Sequence, residues 1–328
     1  MGCYLTKVVK DKSDIYEKNK NELNLINQEY FYKLKNNYIL FSQLNDDKIE
    51  IYDSNMLSLE ELDNYILQKT KLLIITKDKN KLLETQTNIF KYKNNLYKFS
   101  NFNKSKIYDL LIRKNIKNVL VPKLVYKKFN SFLEIYDYYE EGDLFNYTTE
   151  NDLSFDDKLS LIKQIIIIIK DLHSINLTHR DIKLENFVIK KVNGIVTPVL
   201  IDFDYANLTN QKLDFNGGTY MYLSPERLKK KSCNEMKSAD IWALGITFYN
   251  ILFNETLWES ADYRNDINYR RYIDYNQYNN NLYWDDFITN NYNIESDYKE
   301  KLIDIFNYCF NLKYNKRNDI SYIYDILI

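Results

Sequence analysis

The stretch His179-Arg180-Asp181-Ile182-Lys183-Leu184-Glu185-Asn186 constrains this chain more than any other, because it gathers a carboxylate, two cations and an amide into one short loop. Sixteen residues after Asn186 comes Asp202-Phe203-Asp204, followed by Gly218-Thr219-Tyr220-Met221-Tyr222-Leu223-Ser224-Pro225-Glu226. Any three-residue string recurs by chance, so His-Arg-Asp alone carries little information, whereas the three segments in this order and spacing carry a great deal. Together they supply the equipment of phosphoryl transfer, a reaction that asks a protein mainly for positioning and charge neutralisation.

These segments resemble the catalytic loop, the metal-binding segment and the end of the activation segment of eukaryotic-type protein kinases. The resemblance runs from about residue 70 to the C-terminus and implies an α+β, two-lobed protein-kinase-like fold. Such a fold has a small antiparallel-sheet N-lobe with one helix and a mainly helical C-lobe. The expected organisation is an N-terminal extension over 1–68 and a kinase domain over 69–328. Within that domain an N-lobe spans 69–136, a hinge 137–142 and a C-lobe 143–328.

The resemblance further implies ATP and Mg²⁺ as cofactors and proteins as substrates. Asp181 would accept or orient the proton of the substrate hydroxyl, and Lys183 would sit near the transferring phosphoryl oxygens. Asn186 and Asp202 would give the hard oxygen ligands that Mg²⁺ prefers. Lys183 together with Thr219 matches the serine/threonine-specific pattern. Asp240 would brace the catalytic-loop backbone, and Arg317 would pair with Glu226. Residues 132–144 alternate as a strand that ends in the hinge, whose backbone from Asp137 to Tyr139 would hold the adenine, with Tyr136 as the gatekeeper. Asp143 either meets a basic residue of the substrate or is a solvated carboxylate after a turn glycine.

The upper half departs from the family. Glycine occurs only at positions 2, 142, 194, 217, 218 and 245, so no glycine-rich loop precedes the hinge, and a charged turn at 77–81 stands where that loop is expected. The phosphate-anchoring lysine has two candidates, because residues 89–99 read as a hairpin around Asn94-Asn95. Lys98 is favoured by the hairpin, and Lys91 by its distance to the following helix. Asp109 is left as the acidic partner of that lysine by elimination, since Glu134, the other carboxylate between Phe99 and Tyr136, lies on the hinge-leading strand. Asp204 replaces a glycine whose freedom normally lets the metal-binding Asp swing, which predicts a stiffer segment. These departures motivate a second reading, a pseudokinase scaffold that keeps the fold without catalysis.

Net charge is −1, which gives no reason to expect nucleic acid as a partner. Cys3, Cys233 and Cys309 lie far apart without metal spacing, so no disulfide-linked partner is expected and a reducing, cytoplasmic compartment fits. The longest apolar run, Ile165–Ile169, is flanked by lysines and is too short to span a bilayer. Met1-Gly2-Cys3-Tyr4-Leu5-Thr6 matches the myristoylation pattern, with Cys3 open to palmitate. Acylation at Gly2 and Cys3 would place the protein at the inner face of a membrane. A Ser-x-x-Glu cap predicts a helix from Ser58, Ser154 caps an Ile-rich helix, and the Tyr/Asn-rich stretch 259–295 reads as irregular loops. The extension is either a spacer or a small cap on the upper lobe.

Overall fold

A computed structural model describes residues 29–34, 37–45, 48–53, 89–92, 95–100, 103–128, 131–209, 217–229, 236–278, 283–292 and 294–328. Gly2, Cys3, the helix expected from Ser58, the charged turn at 77–81 and Cys233 lie outside the described residues. The chain divides into two units. The first holds the described residues up to Asp109 with Val121–Tyr138, and the second holds Leu110–Leu120 with Tyr139–Ile328.

In the first unit, β1 (Glu29–Leu34), β2 (Asn37–Asn45) and β3 (Lys48–Asp53) form an antiparallel sheet in that order. A second sheet takes β4 (Ile89–Tyr92), β5 (Asn95–Ser100), β6 (Leu124–Lys128) and β7 (Ser131–Asp137) in the order β4-β5-β7-β6, antiparallel throughout. The hairpin expected around Asn94-Asn95 joins β4 to β5, leaving Lys98 on an inner strand and Lys91 on the first strand of that order. Facing residues of antiparallel neighbours share one side of the sheet, so Lys98 stands opposite Glu134 and Leu96 opposite Tyr136. Helix α1 (Ser105–Arg113), which passes from the first unit into the second after Asp109, starts where Asn103 Oδ1 accepts Ser105 N at 3.2 Å. It buries Ser105, Tyr108 and Leu111, which the helical repeat puts on one face.

The second unit is mainly helical. Asp143 caps α2 (Leu144–Glu150), accepting from Asn146 N at 2.9 Å. Ser154 and Asp157 close a capping box on α3 (Phe155–Ser174), as the sequence predicts, and the isoleucines of α3 are buried except for the 41% exposed Ile167. Two short strands, β8 (Leu177–Thr178) and β11 (Asn207–Leu208), pair with each other. Between them β9 (Phe187–Val192) and β10 (Ile195–Leu200) form a hairpin. Its turn, Asn193-Gly194, has φ of 51° and 81°, the left-handed geometry that a tight hairpin needs.

The remaining helices are α4 (Pro225–Leu228), α5 (Met236–Phe253), α6 (Ile267–Tyr278), α7 (Tyr283–Asn291), α8 (Ser296–Cys309) and α9 (Ile320–Leu327). Helix α5 is buried along nearly its whole length. A Cβ at Gly245 would lie 2.7 Å from Cys309 Cβ and 2.9 Å from Phe310 Cζ, so the glycine is what lets α5 approach the end of α8. A small sheet with one helix, followed by a mainly helical remainder, is the α+β architecture that the sequence predicts.

The loops expected over 259–295 are corrected by α6 and α7. Tyr and Asn are mediocre helix formers, but Tyr269 and Tyr272 fall on one face of α6, and Trp284 and Ile288 on one face of α7. Those faces enter an aromatic core in which Trp284 stacks on Phe310 at 4.9 Å and Trp258 meets Tyr269 edge-on at 5.2 Å. Tertiary burial, not local propensity, makes these helices. Trp284→Ala is therefore expected to cost about 3–5 kcal/mol of stability, read as a lower urea midpoint.

Candidate active site

Helix α5 holds the loop between β8 and β9 through one carboxylate. Asp240, 1% exposed, accepts His179 N at 2.9 Å and His173 Nε2 at 3.0 Å on Oδ2, and Arg180 N at 2.8 Å on Oδ1. Arg180 has a φ of 71°, a left-handed conformation that an L side chain adopts only when its surroundings impose it. Burial pushes the Asp240 carboxyl up, but the hydrogen bond and charge of His173, the charge of His179 and the Arg180 N–H outweigh it and hold the pKa below the ordinary value. The neighbouring His179 ring spans to Ile201 O at 2.9 Å and packs edge-on against Phe203 at 5.1 Å.

This brace delivers Asp181 into a ring of polar groups. Asp181 Oδ1 accepts Thr219 N at 2.8 Å and Thr219 Oγ1 at 3.0 Å, while Oδ2 accepts Asn186 Nδ2 at 2.9 Å. Lys183 Nζ donates to Thr219 Oγ1 at 2.6 Å and lies 3.5 Å from Asp181 Oδ2. Asp181 is 5% exposed and Lys183 19%, so the pair is shielded without being sealed.

The β9–β10 hairpin positions two oxygen donors. Asn186 immediately precedes β9, Asp202 follows β10, and Ile201 N closes on Asn186 O at 2.8 Å. Asn186 spends its Nδ2 on Asp181 O at 2.6 Å and on Asp181 Oδ2, an orientation that leaves the amide oxygen for another partner. An amide oxygen and a carboxylate are the hard ligands that Mg²⁺ takes when substrate phosphates complete its shell, so the donor set fits that ion. Among the described residues, no cluster of three or more His, Cys, Asp or Glu could hold a metal by itself. The left-handed residue of this segment is Asp202, with a φ of 61°, while Asp204 sits inside the 3₁₀ turn Phe203–Tyr205 and is not in the left-handed region.

The Gly218–Glu226 segment is fastened to the same loop. Arg227 Nη1 donates to Arg180 O at 2.8 Å and Nη2 to Gly217 O at 2.6 Å. Gly218 has a φ of 98°, and a Cβ there would stand 3.2 Å from Arg180 O. Glu226 receives Arg317 Nη2 at 2.5 and 2.6 Å, and the Arg317 guanidinium lies 5.0 Å above the Trp242 ring. The Glu226–Arg317 pair expected from the sequence is thus formed.

Asp181, Lys183, Thr219 and Asn186 share one hydrogen-bond network, and Asp202 stands at the adjoining hairpin end. Lys98 lies in the first unit, 9% exposed on β5, and Asp109 lies half-buried on α1. Asp137 ends β7 as an exposed residue paired with Lys123, and Tyr139 O accepts Gly142 N at 3.4 Å. The division between the units falls between Tyr138 and Tyr139. Asp143 caps α2, accepting Asn146 N. Two features escaped the sequence. The bridging role of Arg227 could have been suspected from a basic residue directly after Pro225-Glu226. A buried chain of hydroxyls, Tyr108 OH to Tyr136 OH at 2.9 Å and Tyr136 OH to Glu134 Oε2 at 2.7 Å, depends on packing that the sequence does not display.

The sequence model of the protein kinase domain matches residues 95–325, more than half of the chain. The chain belongs to the protein kinase family. This kinase domain is 32% identical over 158 residues to a bifunctional serine/threonine-protein kinase/NEDD4-like E3 ubiquitin-protein ligase of Dictyostelium discoideum, covering 44% of this chain and 8% of that protein. It is 30% identical over 173 residues to calcium-dependent protein kinase 6 of Plasmodium berghei, covering 46% and 11%. To myosin light chain kinase A of Dictyostelium discoideum it is 27% identical over 147 residues, covering 44% and 49%. The matches thus span less than half of the length of these curated relatives.

Because the folded-state pKa of Asp240 is depressed, its contribution is fully present above the unfolded value of about 3.9 and is lost as pH falls through the folded value. Asp240→Asn is expected to destabilise the kinase domain at pH 7, each buried donor left unmet costing about 1–3 kcal/mol. Urea unfolding should show the gap between wild type and variant narrowing as pH is lowered through this window.

Proposed function

We propose that this chain is a serine/threonine protein kinase that transfers the γ-phosphate of ATP to hydroxyls of protein substrates. The carrying observation is the closed set of bonds joining Asp181, Thr219 and Lys183. Asp181 is held on both oxygens by donors that fix its plane, so it can orient an incoming hydroxyl and take its proton as the bond to phosphorus forms. Lys183 carries an ammonium at hydrogen-bond distance from the Thr219 hydroxyl, where it offsets charge gathering on the transferred group. Asn186 Oδ1 and Asp202 would hold Mg²⁺, which neutralises phosphate charge when bound. Lys98 is assigned the nucleotide phosphates, and the backbone of Asp137 and Tyr139 the adenine. The serine/threonine preference rests on Lys183 and Thr219 and on the name of the first relative above.

On this reading the catalytic domain occupies 69–328, with its hinge at 137–142, and residues 1–68 form an extension. Among the described residues no helix is long and apolar enough to cross a membrane. Acylation at Gly2 and Cys3 is the route by which this chain would reach a membrane surface. Membrane pelleting checks this: Gly2→Ala is expected to move to the supernatant, and a variant that still pellets removes the acylation.

Labelled ATP·Mg²⁺ with a generic protein substrate tests the chemistry. Label is expected on serine and threonine, and Asp181→Asn should lower the rate by about 10²–10⁴-fold. Lys98→Met should lower kcat/KM for ATP in the same assay. Folded wild type as silent as Asp181→Asn would replace the enzyme by the scaffold reading.

A further inference from the structure

The sheet of the first unit carries a buried carboxylate for which the reading above has no use. Glu134 is 1% exposed, and it stands directly across the β5–β7 ladder from Lys98, itself 9% exposed. Directly opposed residues of an antiparallel pair project from the same face with Cβ atoms about 4.5–5.5 Å apart. Tyr136, two residues along β7 and so on that same face, donates its hydroxyl to Glu134 Oε2 at 2.7 Å. The Tyr136 hydroxyl also meets Tyr108 OH of α1 at 2.9 Å, so this is the face that α1 covers.

We propose that Glu134, rather than Asp109, is the carboxylate that pairs with Lys98 and sets the position of its ammonium. Lys and Glu are almost never buried to this degree unless they are paired, and a carboxylate taken out of water stays charged only beside a cation. Among the residues of the first unit whose burial is described, Lys98 is the one buried cation. The Tyr136 phenol is pushed up by burial first, then by Tyr108 and by Glu134. On α1 Tyr108 makes a buried contact with this face, and Asp109 follows about 100° further round the helix at a half-buried position.

Glu134 is therefore a positioning residue, acting through Lys98. Since both partners sit on hydrogen-bonded neighbouring strands, their geometry is fixed by sheet register and does not depend on the placement of α1. The catalytic meaning of the pair rests on the reading of Lys98 as the phosphate anchor; the pair itself does not.

The test is the pKa of Lys98 in full-length protein carrying ¹³Cε-lysine, followed by NMR against pH, with its signal identified by absence in Lys98→Met. Removing a negative neighbour lowers a lysine pKa, so Glu134→Gln should bring it down by one unit or more, a tenfold change in the protonation equilibrium. Asp109→Asn should leave it within a few tenths. An equal or larger fall in Asp109→Asn, or no fall in Glu134→Gln, overturns the proposal. Should Glu134→Gln not fold, Asp109→Asn decides: a fall of one unit or more overturns the proposal, and a change within a few tenths supports it. In the kinase assay Glu134→Gln should lower kcat/KM for ATP at least tenfold with the KM for protein substrate unchanged, and Glu134→Asp should recover part of the loss. A wild type without transferase activity would defeat the kinase reading while leaving the titration arms to decide the pair.

Discussion

Asp240 takes two consecutive backbone N–H groups and one imidazole in the interior of the second unit, and the placement of Asp181 follows from those bonds. A carboxylate so far from water is stabilised only when its lone pairs are filled, and here three donors fill them. The N–H groups of His179 and Arg180 fix the peptide planes at the entrance to the loop. They also hold Arg180 at its left-handed φ, and the chain leaves that residue aimed so that Asp181 faces Thr219 and Asn186. Arg227 ties the Arg180 carbonyl to Gly217, so the two segments that form the Asp181 ring share one anchor. A rigid helix with almost no exposed residues is the natural place to mount that anchor.

A chain with 6 glycines in 328 residues must make its left-handed turns some other way. Among the described residues, five of the seven non-glycine positions with positive φ are asparagines, Asn115, Asn118, Asn176, Asn193 and Asn254. Asparagine tolerates this region because its short amide can bond locally. The exceptions are Arg180 and Asp202, both at the candidate site. Cheap substitutes serve the scaffold, while residues that pay strain are kept where their side chains are needed.

The parts legible in the sequence are those whose signal is local. The loop 179–186, the Asp202 segment, the Ser154 cap and the Asn94-Asn95 hairpin each declare themselves within about ten residues. Pairings such as Glu226 with Arg317 were legible only through the family resemblance, because residues so far apart carry no spacing rule. Helices α6 and α7 were illegible for a different reason: their composition is poor in helix formers, and aromatic packing on Trp258 and Phe310 decides the outcome. The left-handed φ of Asp202 was likewise hidden, since φ is set by how β10 hands the chain to the 3₁₀ turn.

The proposed pairing of Glu134 with Lys98 turns on a neighbour that elimination along the sequence leaves out. Assigning Asp109 by exclusion treats a position on a strand as disqualifying, yet a strand neighbour is the closest partner a strand residue can have. A partner on a helix must be brought up by packing and can be withdrawn by it. A partner one ladder rung away is held by the same hydrogen bonds that make the sheet. With Tyr136 and Tyr108 satisfying the rest of the buried polar chain, the face under α1 has a fixed charge arrangement even though a glycine-rich loop is missing from the sequence. On the proposed reading, a lysine held by sheet register would compensate in part for phosphates that lack a close backbone cradle.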